Sequence, residues 1–129
     1  MRYLSLEWIE ALSREVAASS DVAALAAQHS LGFTQVVTEG PEGDVTYHLQ
    51  VGDGKASFGA GPAWPEDVRF VQDWATAVAV ATDRLNAQQA FMTGRIRLHG
   101  DQQKLAAGTP IFAALDAVFK KVRELTTYE

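Results

Sequence analysis

The residue types that most often carry chemistry are present in this chain, but their spacing does not assemble a reactive site. Gly52-Asp53-Gly54-Lys55 and Gly59-Ala60-Gly61 are the glycine-rich fragments. A phosphate-cradling loop needs Ser or Thr after its Gly-Lys and another Gly at the head of the motif. Ala56 and Leu49 stand at those two places. A dinucleotide fingerprint needs a third Gly with a helix opening behind it, whereas a hairpin turn and a Pro62-containing loop follow here; both fragments read as turn glycines. None of His29, His48 and His99 is followed three or four residues on by a His, Asp or Glu, the spacing that sets two metal ligands on one helical face. Cys is absent, which removes thiolate zinc sites, disulfides and cysteine nucleophiles together. No Ser sits in a Gly-x-Ser-x-Gly elbow. Asp67, Asp73, Asp83, Asp101 and Asp116 fall mostly at expected helix starts or exposed faces, where capping and the helix dipole account for them. Arg95, Arg97 and His99 form a short basic row, read as a solvated strand face. The expectation is therefore no catalytic residue, no metal and no cofactor: a chain that is not an enzyme.

The elements that carry these residues follow from hydrophobic period. Leu4, Trp8, Leu12 and Val16 recur at fourfold spacing and predict a first helix. Ser19-Ser20-Asp21 breaks it and caps a second, Val22 to Gln28, anchored on Leu25. From Leu31 the pattern becomes β-like through Phe33, Thr34, Val36 and Val37, and it ends at Gly40-Pro41-Glu42-Gly43. Val45, Tyr47, Leu49 and Val51 then alternate with Thr46, His48 and Gln50, and Asp53-Gly54 is a hairpin signal. A third strand runs from Lys55 to Ala60, and a fourth from Asp67 to Gln72 with Val68 and Phe70 on one side. Asp73 opens a helix whose stripe is Trp74, Ala77, Val78, Ala81 and Leu85. Asn86 with Gln89 reads as a capping box, closed by Gly94. Arg95 to His99 is a strand with Ile96 and Leu98 inward. Asp101 caps Gln102 to Ala107, and Thr109-Pro110 starts a last helix carrying Ile111, Phe112, Leu115, Val118, Phe119 and Val122. Clean alternation implies one dry and one wet sheet face, so the helices gather on one side and the class is α+β.

The chain has 129 residues, 47% of them hydrophobic and 21% charged, which suits one core over residues 1–129. A net charge of −5 argues against nucleic acid as a partner, since phosphate binding needs a cationic stripe. The longest apolar run, Val22 to Ala27, falls far short of the ~20 residues that span a bilayer. Integral membrane insertion is not expected, although transient contact with a membrane surface is allowed. Neither terminus carries a recognisable address, and the location expected is the cytoplasm. The chain is expected to be a monomer or a weak homodimer. Bulky Trp74, Phe91, Met92, Phe112, Leu115 and Phe119 stand among many small Ala residues on short helices. That mixture can interdigitate as a core or leave a cavity, and period alone does not separate the two.

A resemblance sharpens the choice. Ala87, Ala90, Phe91, Met92, Gly94, Arg95, Ile96, Arg97, Gly100 and Asp101 match an A-x-x-A-F-M-x-G-K-I-K-x-x-G-D passage, with Arg in place of Lys twice. With the Ala-rich stretch from Trp74 and the strand at Asp67 to Phe70, this resembles the sterol-carrier-protein-2-like lipid-binding domain family. The resemblance implies a five-stranded mixed, mostly antiparallel sheet, helices packed on one face, and an apolar tunnel for a lipophilic small molecule such as a fatty acid, fatty acyl group or sterol. The tunnel would be walled by Phe33, Tyr47, Leu49, Phe58, Phe70, Ile96 and Leu98 from the strands and by Trp74, Phe91, Met92, Phe112, Leu115 and Phe119 from the helices. Two other readings stand beside it: an interaction or accessory domain with a collapsed cavity, and an enzyme acting on a lipophile, for which the dry face offers only Tyr47 as an acid or base.

Overall fold

The stretches of alternating hydropathy form one sheet, and the main amphipathic helices cover one of its faces. The computed structural model describes residues 1–128. In chain order it contains α1 (Leu6–Ala18), α2 (Ser20–Ala26), β1 (Leu31–Gly40), β2 (Gly43–Gly52), β3 (Lys55–Ala60), β4 (Val68–Asp73), α3 (Trp74–Ala81), α4 (Ala87–Met92), β5 (Ile96–Gly100), α5 (Gln102–Ala107) and α6 (Thr109–Arg123). The expected α+β order is present element for element. The five-stranded sheet runs β3-β2-β1-β4-β5. Central β1 pairs antiparallel with β2 and parallel with β4, while β3 and β5 complete the sheet as antiparallel edges.

Residues opposite one another in a ladder share a face. The register sets Leu31, Phe33, Gln35 and Val37 of β1 against Val51, Leu49, Tyr47 and Val45 of β2. The same face continues through Phe58 on β3, Val68, Phe70 and Gln72 on β4, and Ile96 and Leu98 on β5. Leu12 and Val16 of α1, Val22 and Ala26 of α2, and Ile111, Leu115, Val118 and Val122 of α6 are buried in one core with it. Each such Leu, Ile or Val adds ~1.5–3 kcal/mol of apolar burial. The anchor of α2 is Val22 with Ala26, and Leu25, expected in that role, is only half-buried. Leu4 joins the core from outside α1, at φ 63°, while Ser5 caps the helix by accepting from the Trp8 amide.

Two sequence expectations change. Helix α3 stops at Ala81, short of Leu85. Asp83 takes the left-handed conformation at φ 60°, its amide reaches the Val80 carbonyl (3.2 Å), and the Arg84 amide reaches the Ala79 carbonyl (2.8 Å). This is the C-terminal cap that Gly usually supplies, and Asp is among the few other residues that tolerate it. Leu85 therefore leaves the stripe.

The outer sheet face is also not simply wet. The chain leaves β3 at one edge and must cross β2 and β1 to reach β4, so the segment from Gly61 to Asp67 lies over that face. Thr34 Oγ1 accepts from the Ala63 amide (2.9 Å), Gln50 Oε1 from the Trp64 amide (3.1 Å), and Asp67 Oδ2 from the Gly32 amide (2.7 Å). His48, expected to be solvated, has Nδ1 3.0 Å from the Gly61 carbonyl oxygen. Thr34 is fully buried as a result. A Cβ at Gly32 would overlap the Pro65 carbonyl oxygen, so only Gly admits the crossing. Gly32→Ala should lower unfolding stability by about 1–3 kcal/mol, seen as a lower urea midpoint with an unchanged m-value.

Candidate ligand-binding site

Small side chains leave space where α3 and α6 lean over the sheet. The cavity there has a volume of about 330 Å³. Gln35, Tyr47 and Gln72 form its floor, from β1, β2 and β4. Trp8 of α1, Ala77, Val80 and Ala81 of α3, and Phe119 of α6 form its walls. Ala77 and Ala81 fall one turn apart on the same helix face, and their missing side-chain volume opens the space. Asp83, Leu85 and Asn86 rim it after α3, Asp116 and Arg123 from α6, and Tyr3 and Tyr128 from the two ends of the chain. Those ends are tied to each other: the Tyr3 amide donates to the Thr127 carbonyl (2.9 Å) and the Thr127 amide to the Met1 carbonyl (2.7 Å).

Trp8 organises the walls. Its ring lies 5.0 Å from Tyr3, 5.5 Å from Tyr47, 6.1 Å from Phe58 and 6.4 Å from Phe119, centroid to centroid. Such pairs hold rings in fixed relative orientation and add ~0.5–1.5 kcal/mol each beyond burial. The floor is polar within an otherwise apolar face. Gln35 is 9% exposed and Gln72 6%, and the Oε1 atom of each is buried with no hydrogen-bond partner. Each orphaned carbonyl costs about 1–3 kcal/mol. Burial pushes the Tyr47 phenol well above its ordinary pKa, against the opposing pull of its hydrogen bond with the Gln35 side chain. Tyr3 is raised in the same direction, first by burial and then by Tyr47 and Tyr128 nearby. At the rim Arg123 Nη1 meets Asp83 Oδ2 at 2.9 Å, an ion pair whose Asp side is largely solvated and which contributes ~0–1 kcal/mol.

Of the residues expected to wall a tunnel, Tyr47 and Phe119 line this cavity. Phe33, Leu49, Phe58 and Leu115 lie in the closed core, with Phe70, Trp74, Leu98 and Phe112 packed half-buried against it, and Ile96 is buried on the same sheet face. Phe33 meets Phe70 and Phe112 edge to face at 5.0 and 5.2 Å, so that part of the dry face is filled by interlocked rings and not by a tunnel. Phe91 and Met92 are exposed, at 44% and 77%, which corrects their expected place in the wall. Helix α4 is two turns or less, and its buried face is carried by Ala90, leaving the two bulky residues outward. Trp8, Gln35 and Gln72 were missed. Their signal was present: Gln35 falls in phase with Leu31, Phe33 and Val37, and Gln72 with Val68 and Phe70, as polar residues on a dry period.

The carboxylates hold structure. Asp73 and Asp101 cap α3 and α5, Asp67 pairs with Lys104 (3.1 Å), and Asp116 with Lys120 (3.4 Å). Among the described residues no cluster of His, Asp or Glu has the geometry of a metal site. With its pKa raised by burial, the Tyr47 phenol keeps its proton at neutral pH and can donate a hydrogen bond. Among the described residues no helix is long and apolar enough to cross a membrane.

The fold is thus a one-sided α+β arrangement with an aromatic-walled cavity between sheet and helices. The sequence matches the SCP-2 sterol transfer family over residues 9–112, and the chain belongs to that family. Among solved structures it is similar to a sterol carrier protein 2, with 26% identity, a TM-score of 0.64, and coverage of 95% of this chain and 98% of the other. A conserved hypothetical protein from Thermus thermophilus shares the fold at 24% identity and TM-score 0.66, covering 98% and 92%. So does the apo form of sterol carrier protein 2 from Yarrowia lipolytica, at 14% identity and TM-score 0.62, covering 89% and 88%. No curated protein matches the sequence significantly.

Two consequences can be measured. Asp73 Oδ1 accepts from the Thr76 amide at 2.8 Å, and hydrogen bonds from Thr76 hold the Asp73 carboxyl below its usual pKa. Its stabilisation is present above the unfolded carboxylate pKa, near 4, and is lost as pH falls through the lower folded value. Asp73→Ala should therefore cost about 0.5–2 kcal/mol at pH 7, and the gap from wild type should close in acid; urea titrations at pH 7 and below pH 3 test this. Tyr3 and Tyr47 have raised pKa values, so stability should be full below about pH 10 and decline above it. Tyrosinate absorbance rising together with loss of ellipticity checks this.

Proposed function

We propose that this chain binds a lipophilic small molecule, fatty acyl or sterol-like, in the cavity over Gln35, Tyr47 and Gln72, and transfers it without chemical change. The supporting observation is the aromatic-walled cavity between sheet and helices in a chain of a sterol transfer family. Its volume falls at the lower end of the ~300–1,000 Å³ range of small-molecule sites, which favours an open cavity over a collapsed one. Apolar walls suit the cargo, because each buried methylene adds ~0.8 kcal/mol whatever the head group. Tyr47 and Phe119 are the proposed contacts of a short ligand. A longer chain would reach Phe33, Phe70, Leu98 and Phe112 once their edge-to-face rings part. The proposal includes a cytoplasmic setting, a monomer or weak homodimer, and at most transient contact with membranes.

Native mass spectrometry of the purified protein should show a mass beyond the chain that organic extraction removes, and a fluorescent fatty acid should bind the stripped protein. Ala81→Phe fills the cavity from α3 and should weaken that binding at least tenfold while the circular dichroism spectrum stays unchanged. An undiminished affinity in a folded Ala81→Phe protein would place the ligand elsewhere.

A further inference from the structure

The two glutamines are the least expected feature of the dry face. They sit as diagonal neighbours on the paired strands β1 and β4, one residue pair apart on the same face: Gln35 lies opposite Phe70, and Val37 opposite Gln72. Both line the cavity, both are more than nine-tenths buried, and both leave Oε1 without a partner. Buried carbonyls are nearly always satisfied in folded chains, so two orphans bordering one cavity point to a partner that arrives from outside the chain. The terminal torsion of Gln is soft, and each carbonyl can turn toward the cavity at little cost.

From this geometry we infer that the cavity floor is a polar subsite for the head of the ligand, built to accept hydrogen bonds from an uncharged donor such as a hydroxyl. The inference rests on the carrier reading and names the ligand class within it. A hydroxyl supplies a proton to one glutamine carbonyl and an acceptor lone pair to the Tyr47 phenol. An ionised carboxylate would find amide and phenol donors there but no cation on the floor to balance its charge. The cation lining the cavity is Arg123, which lies at the rim beside Asp83 and not on the floor. The polar end of the ligand therefore lies on the floor, against Gln35, Gln72 and Tyr47.

The probes are 1-dodecanol and its isomer 1-methoxyundecane, which keeps the oxygen and lacks the donor. Each competes against a fluorescent fatty acid on the delipidated full-length protein. Wild type should bind the alcohol at least ~10-fold more tightly than the ether, because an unpaired buried acceptor penalises the analogue. Gln72→Leu, and separately Gln35→Leu, should reduce that preference to within about twofold by weakening the alcohol. Gln72→Leu should also melt no lower than wild type without ligand, since it removes an unsatisfied buried group. Equal binding of both probes to wild type overturns the polar subsite and leaves the carrier reading intact. So does an undiminished preference in both variants. Failure of every probe, the fluorescent fatty acid included, overturns the carrier reading and the subsite with it.

Discussion

The crossing of the chain over the outer face of the sheet is the constraint on which the rest of the structure depends. With β1 at the centre and β4 parallel to it, the chain cannot turn directly from β3 into β4 and must pass over two strands. The crossing is made without a helix, by a short segment tied down amide by amide to Thr34, Gln50 and the Gly32 carbonyl. Gly32 permits it because the Pro65 carbonyl occupies the position a side chain would take. With that face closed by a loop, all the large helices are free to gather on the other.

That other face is wide, and the helix laid over its middle is small. α1 and α6 bring the Leu, Ile and Val residues that fill the core beneath them. α3 brings Ala77 and Ala81, and is ended early by the left-handed Asp83. Ala77 and Ala81 leave unfilled the space over Gln35, Tyr47 and Gln72 that longer side chains would occupy. The cavity follows from this mismatch. Its aromatic walls pack into the Trp8 ring cluster.

A cavity produced this way suits a carrier. In the proposed carrier, affinity comes from walls that take any apolar tail. The glutamine floor runs against the stability of the empty protein, since orphaned carbonyls are costly where Leu or Val would cost nothing. In the proposed subsite, a bound molecule with a polar end relieves that tension.

Much of the fold was legible because it rests on local period and on capping residues. The stripes of α1 and α6, the alternation of β2, and the caps at Ser19, Asp73, Asn86 and Asp101 stand in the structure where the sequence places them. The early end of α3 was hidden because Asp83 does the work usually done by Gly. The outward turn of Phe91 and Met92 was hidden because a helix as short as α4 has no repeat from which to read a face. The passage around them signalled the family without revealing which of its side chains face inward. The sequence by itself determined the element order, the one-sided α+β class and the absence of a spaced catalytic or metal motif, all of which depend on neighbours within a few residues. Only the tertiary structure decided which dry-face residues close into core and which border a cavity. That depends on how far apart the helices stand, a distance set by the summed volumes of side chains remote from one another in the chain.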